Sequence, residues 1–304
     1  MMKKLLSASL AVLGFAFLFS ACNKDDNNDD GGVVKPDVTV ERVSPTTDEL
    51  PAGYAEIGQT VKVKVKVSSN VTVESINVVA QIGSYSLTLV GDTNLMIFEV
   101  PYEVPFILPT GDTLTPADVL SIKATATDKN NNSGSATLDL QLGNRLSSYS
   151  QNPQTQENFR VWHKFSSKEG AFDLRLLVPK TVNDDDAEKD LEDASKVGRP
   201  VTGDLWAGYD DQSGTIINKT KFVKVSKTPD QYVLDAQIRK DYMDASVAPV
   251  SKIKVETGDV YAVKLRGKEE YVLLHIKEVN TTDASATTAN NKGYVEFEVK
   301  SALY

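Results

Sequence analysis

Between Val61 and Val67 the chain alternates valine with lysine: Val61, Val63, Val65 and Val67 against Lys62, Lys64 and Lys66. A side-chain period of two sends the valines to one face of a strand and the lysines to the other. That pattern belongs to a sheet with one face buried and one in water. Apolar runs of strand length recur at 38–43, 71–82, 85–90, 96–100, 121–127 and 136–142. The last two flank the polar stretch Asp128-Lys129-Asn130-Asn131-Asn132-Ser133-Gly134, which has the chemistry of a hairpin turn. About seven strands in roughly 110 residues predict an immunoglobulin-like β-sandwich over 34–142. Residues 143–157 are polar and aperiodic, and predict a linker.

The rest of the chain, 158–304, is mixed in pattern. Phe172 to Val178 reads as a strand. Asp184 to Asp193 is strongly acidic and predicts a short helix or turn with a solvated face, since acids suit a helix start; calcium binding is the alternative. Thr228-Pro229-Asp230-Gln231 has the form of a helix start, with Thr228 as cap and Pro229 at the first position. Leu234, Ile238 and Tyr242 follow at four-residue spacing and predict one apolar stripe facing the core. Val250 to Val255 is a short strand. Asp259 to Leu265, Tyr271 to Val279 and Gly293 to Lys300 predict three adjacent antiparallel strands that close the chain. The fold class expected is therefore mainly β: an Ig-like β-sandwich, then a second β-rich domain with one or two short helices.

The first thirty residues obey another rule. Lys3 and Lys4 precede an almost wholly apolar run from Leu5 to Phe19, which ends in Phe19-Ser20-Ala21-Cys22. The run is shorter than the ~20 residues of a membrane span and suits a secretory leader. Small residues before a cysteine resemble a bacterial lipobox, with Phe19 standing where Leu is commonest. The resemblance implies a signal peptide at 1–21, cleavage before Cys22, and a diacylglycerol on its sulfur. A plain secretory leader or an uncleaved helical anchor are the alternatives. Each buried methylene of an acyl chain contributes about 0.8 kcal/mol, so one chain holds marginally and several hold firmly. Residues 22–33 then form a tether, since 23–30 carry no apolar side chain and Gly31 and Gly32 are flexible. Lys24-Asp25-Asp26 resembles the acidic export signal of Bacteroidetes lipoproteins. That implies a lipid-anchored protein of the outer membrane, facing the exterior; a merely polar tether is the alternative.

Charge and chemistry narrow the rest. The formal net charge is −9, which argues against nucleic acid as a partner. Cys22 is the one cysteine, so once it carries the lipid no thiol remains for a disulfide, thiol catalysis or a Cys-based metal site. No nucleophile elbow, His-Glu-x-x-His or phosphate loop is readable. His163 and His275 are the two histidines, and could serve a haem iron axially, although nothing in their positions brings them together. Among 42 acids no carboxylate pair for glycoside hydrolysis stands out. Asp128, Asn130, Asn132 and Asp139 fall at positions 1, 3, 5 and 12 of a calcium loop. Gly134 comes one place late for that loop, and the flanks read as strands, so a solvated hairpin tip is the better reading.

The segment ATATDKNNNSGSATLDLQL resembles the last hairpin of bacterial Ig-like and cadherin-like modules. The pieces GDLWAG, TKFVKV, DYMDAS and GDVYAVKLRGKEEYVLLHIKEVN resemble the C-terminal domain of uncharacterised Bacteroidetes surface lipoproteins. Some haem-binding surface lipoproteins have similar closing strands. Aromatic residues remain as the lead to a ligand: Trp162, Trp206 and Tyr209, with Trp206 and Tyr209 in a glycine-flanked setting. Ring faces stack on sugar C–H groups, although a tryptophan in a core is the commoner fate. The expectation is a non-enzymatic binding module without cofactor, capturing glycan or another nutrient beside an outer-membrane uptake complex. A structural or adhesive protein without a small ligand is the main alternative; haem binding and carboxylate-based hydrolysis are others. If Cys22 carries the anchor, Cys22→Ser moves the protein from the membrane pellet to the soluble fraction and abolishes labelling by a radioactive fatty acid.

Overall fold

The computed structural model describes residues 34–91, 97–104, 114, 117–152, 155–166, 168–196, 199–210, 215–281 and 292–302, without the side chains of 89–91, 97–104, 209 and 210. The leader, Cys22 and the tether lie outside these residues.

The valine ladder forms a strand as its period requires: Val61, Val63, Val65 and Val67 are buried, while Lys62 and Lys66 are exposed. Among the described residues of 37–143 there are eight strands. They are β1 (Asp37–Ser44), β2 (Tyr54–Glu56), β3 (Val61–Ser68), β4 (Val73–Ile82), β5 (Tyr85–Gly91), β6 (Ile97–Val104), β7 (Val119–Asp128) and β8 (Ser133–Gly143). One sheet runs β1-β3-β6, the other β2-β8-β7-β4-β5. The ladder meets Val73, Ile76, Val78, Leu120, Ile122, Leu140 and Leu142 in a single core between them. Each such side chain contributes about 1.5–3 kcal/mol by leaving water. Strand β2, only three residues long and parallel to β8, is too short to show a period in the sequence.

Beyond Gly143 follow β9 (Ser147–Tyr149), β10 (Arg160–Trp162), β11 (Ala171–Asp173), β12 (Val178–Lys180), β13 (Leu191–Asp193), β14 (Asp204–Trp206), β15 (Tyr209–Asp210), β16 (Thr215–Ile216), β17 (Lys221–Val225), helix α1 (Asp235–Met243), β18 (Lys252–Lys254), β19 (Val260–Lys264), β20 (Tyr271–Asn280) and β21 (Tyr294–Ser301). The larger sheet has the order β10-β21-β20-β19-β17, with β9 also on β21; the smaller is β12-β11-β13-β14-β18. Phe159, Phe172 and Phe297 pack ring to ring at 5.0–5.8 Å inside the core that these two sheets share. The other face of the larger sheet is covered in part by α1, whose Ile238 and Tyr242 meet Val223, Val260, Ala262, Tyr271 and Leu273. Strands β19, β20 and β21 are the antiparallel trio expected from the sequence.

Three local expectations change. Phe172 to Val178 is a hairpin instead of one strand. The Asp173 carboxylate accepts the N–H groups of Arg175 and Leu176, both at 2.9 Å, and turns the chain. The helix expected from Thr228 is split. Gln231 does cap Thr228 N–H at 2.9 Å, but over a single 3₁₀ turn, Pro229–Gln231. The Gln237 side chain then takes the N–H groups of Val233 and Leu234 at 2.7 and 2.9 Å, so α1 starts only at Asp235. The acidic stretch holds a 3₁₀ turn, Asp186–Glu188, followed by β13.

The stretch expected as a linker, 143–157, is built into the structure at its start. Gly143 ends β8 against α1; a Cβ there would stand 2.8 Å from that of Ala236. The buried Asp235 carboxylate accepts from Asn144 N at 2.7 Å and Asn144 Nδ2 at 3.0 Å. Arg145 pairs with Glu56 at 2.5 Å, and β9 adds to the larger sheet. Burial raises the Asp235 pKa, against the pull of its Asn144 bonds. Asp235→Ala strands the Asn144 donors and should cost about 1–3 kcal/mol in equilibrium urea unfolding; an unchanged midpoint would show that the junction carries no strain-bearing bond.

Candidate functional site

On β21, Val295, Phe297 and Val299 enter the shared core, so Tyr294, Glu296, Glu298 and Lys300 stand on the opposite face. On β10 only Val161 enters that core, which turns Arg160 and Trp162 outward, in register with Glu296 and Tyr294. The Trp162 and Tyr294 rings meet edge to face, centroids 5.0 Å apart. Arg160 lies 4.4 Å over Tyr294 and pairs with Glu296 at 2.7 Å. The Tyr294 hydroxyl donates to Glu278 at 2.9 Å, and Lys168 Nζ lies 3.8 Å from the Trp162 centroid. Both rings are half-buried.

Trp206 points outward from the smaller sheet, because its neighbour Leu205 enters the core; Lys252 Nζ lies 4.0 Å from its ring, opposite it in register. Trp162 and Trp206 therefore stand on the outer faces of different sheets. The side chain of Tyr209 is outside the described residues. Tyr294, Arg160 and Lys168 were not singled out in the sequence. The alternation in 293–300 puts Tyr294 on the polar face, but its partner strand β10 lies 136 residues away, as Arg160 and Glu296 measure it.

The polar candidates are tied up. His163 is buried, with Nδ1 accepting from Phe165 N at 3.3 Å and Nε2 on the Arg199 carbonyl at 2.9 Å. Both ring nitrogens are thus committed to the backbone, and neither is turned to an iron. Ser195 Oγ donates to Asp193 at 2.8 Å, so the serine proton faces a carboxylate and not the imidazole, unlike an acyl-transfer triad. His275 lies on β20 beside Glu298, Nδ1 to carboxylate 3.5 Å. In the hairpin, buried Asp128 accepts from Asn130 N (2.8 Å), Asn132 N (2.9 Å) and Asn132 Nδ2 (3.1 Å). Burial would raise its pKa, but these bonds prevail and hold it below the ordinary value. Its oxygens serve the turn, and Asp139 sits exposed on β8. Among the described residues, no three His, Cys, Asp or Glu are grouped to hold a metal ion.

The acidic stretch departs from its expected solvated face. Asp190, Glu192 and Asp193 are buried, and only part of the run, such as Asp184 and Asp185, stays exposed. Asp190 receives Thr220 Oγ1 at 2.7 Å, Asn218 Nδ2 at 3.1 Å and Arg266 Nη2 at 2.9 Å. The same Arg266 nitrogen reaches Asp173 at 2.8 Å. Burial raises the Asp190 pKa against the pull of Arg266. For Arg266, burial works against the charged form, but the two aspartates outweigh it and raise its pKa. Glu192 lies between Lys164 (3.9 Å) and Lys189 (3.5 Å). The Asp173 and Asp190 carboxylates do converge, but they are closed from solvent and shared by one guanidinium, so they bind sheets together and offer no general acid to a substrate.

A polar groove of about 560 Å³ lies near the junction, lined by Ser44, Glu49, Glu56, Gln59, Thr60 and Arg145. No ring lines it. No described helix is long and apolar enough to cross a membrane. No protein-family model matches the chain, and a search of curated proteins finds no match.

Arg266→Ala leaves two buried carboxylates unpaired and should cost about 3–5 kcal/mol at pH 7 in chemical unfolding. Without the guanidinium the native Asp190 pKa rises further above its unfolded value, near 4. The native state then binds more protons than the unfolded chain, so the deficit shrinks as pH falls from 7 toward 4. A deficit independent of pH would contradict the clamp.

Proposed function

We propose that this chain is a lipid-anchored, non-enzymatic carbohydrate-binding protein of a Bacteroidetes outer membrane, with an Ig-like sandwich as spacer and residues 158–304 as binding module. The observation that supports this most is the half-buried Trp162–Tyr294 ring pair on the open face of the larger sheet. Sugar rings offer C–H faces to such platforms, and their hydroxyls suit flanking carboxylates and guanidinium. Glu278, Glu296 and Arg160 supply those groups here. Cys22 and the acidic tether would hold the module outward, within reach of extracellular glycan or an uptake complex.

A structural or adhesive role is the second reading. The braced junction at Asn144–Asp235 and Arg145–Glu56 favours it, since a stiff joint suits a load-bearing stalk.

The mature chain, made soluble by Cys22→Ser, is to be screened on a glycan array. Trp162→Ala should weaken any binding about tenfold or more, the loss typical of an aromatic anchor, with the melting temperature retained. Binding that survives this substitution, or no binding to any glycan, would favour the adhesive reading.

A further inference from the structure

Each of the two tryptophans carries a lysine ammonium against its ring: Lys168 at 3.8 Å from Trp162 and Lys252 at 4.0 Å from Trp206. At the Trp162–Tyr294 pair the described cations are Arg160 and Lys168, and the described carboxylates are Glu296 and Glu278. Arg160 is matched by Glu296 at 2.7 Å, and Glu278 holds the Tyr294 hydroxyl at 2.9 Å. Lys168 is exposed, and among the described residues no carboxylate pairs with it. Its backbone is fixed by the Ser166 hydroxyl, which accepts Lys168 N–H at 3.1 Å, so the ammonium can swing while its Cα stays in place.

We infer that the Trp162–Tyr294 face takes an acidic glycan, whose carboxylate or sulfate group pairs with Lys168. This rests on reading that face as a sugar platform. A sugar that stacks on Trp162 must first displace the ammonium from the ring. A neutral sugar offers the displaced ammonium only uncharged hydroxyl acceptors. An acidic sugar gives the displaced ammonium a counter-charge, and a charge-assisted hydrogen bond is stronger than an exposed cation–π contact. Lys168 thus acts as a gate in the free protein and as a recognition group in the complex. The net charge of −9 opposes an anionic ligand at long range. At physiological salt that repulsion is screened beyond about 8 Å, so the charge at the ring decides the preference.

The test is calorimetric titration of the mature Cys22→Ser chain with three oligomers of equal length: an oligogalacturonate, a sulfated galacto-oligosaccharide and the neutral galacto-oligosaccharide. At least one acidic oligomer should bind about tenfold tighter than the neutral one, and which of the two binds tighter identifies the acidic group. Lys168→Ala should erase that preference, weakening the acidic oligomer about tenfold and strengthening the neutral one severalfold; Lys168→Arg should preserve it. A neutral oligomer that binds as tightly as both acidic ones, or a preference that survives Lys168→Ala, overturns the inference while leaving the platform intact. Binding that is indifferent to Trp162→Ala, or absent for all three oligomers, overturns the platform and the inference with it.

Discussion

The guanidinium of Arg266 is the constraint on which the second half of the molecule depends. It sits in the turn between β19 and β20, with φ at +50°, where a non-glycine residue costs on the order of 1–2 kcal/mol. Its contacts explain why that conformation is kept. The side chain reaches Asp173 at the end of β11, Asp190 before β13 and the Glu188 carbonyl at 2.9 Å, while its N–H goes to Thr220 Oγ1 at 3.0 Å. The larger sheet is thereby fastened to the smaller one. Two aspartates face one arginine, and among the described residues Asp173 Oδ2 has no hydrogen-bond partner. The other Asp173 oxygen offsets this by taking two backbone N–H groups of the adjoining turn. Asp173 and Asp190 are each bound to backbone N–H groups as well as to a cation, which is what makes them tolerable away from water.

Burial on one face or two decides how the strands read. Tyr271 to Leu274 in β20 are buried without a break, because core lies on one side and α1 on the other. Strand β21 alternates buried and half-buried positions along its whole length, because α1 does not pack on its outer face, where Lys300 reaches only the Pro229 carbonyl at 2.8 Å. The continuous apolar run and the alternating one in the sequence thus already distinguish a central, covered strand from a half-open one.

Where the cause is local, the sequence is legible. The valine ladder of β3 and the closing strands need only their own period. The failures share a longer reach. The stretch 172–178 reads as one strand because its apolar residues fit, yet the Asp173 side chain turns it. The run after Asp184 reads as solvated because the partners that bury it are distant: Lys164 N meets Asp193 29 residues away, and Arg266 meets Asp190 76 residues away. The Thr228 capping box does form, but Gln237 competes for the next N–H groups and delays the helix. The tryptophans were visible as candidates, whereas the pairing of Trp162 with Tyr294 depends on a strand register that no local pattern encodes.

The open face has a geometric origin. A helix is about 10 Å across with its side chains, and strands lie about 4.8 Å apart, so one helix covers two or three strands. Helix α1 lies over β17, β19 and β20, and β21 and β10 remain beyond its edge. That uncovered strip must satisfy itself. A strip that served solubility alone would need only charged and hydroxyl side chains. Here the two strands instead bring an indole and a phenol into edge-to-face contact and surround them with two cations and two carboxylates. Half-buried rings keep apolar area in water, a cost that packing within the chain leaves only partly offset. A ligand with one apolar face and a polar rim would cover that remaining area and leave the surrounding charges hydrogen-bonded, which is the physical ground for proposing the strip, and not the buried carboxylates, as a binding face.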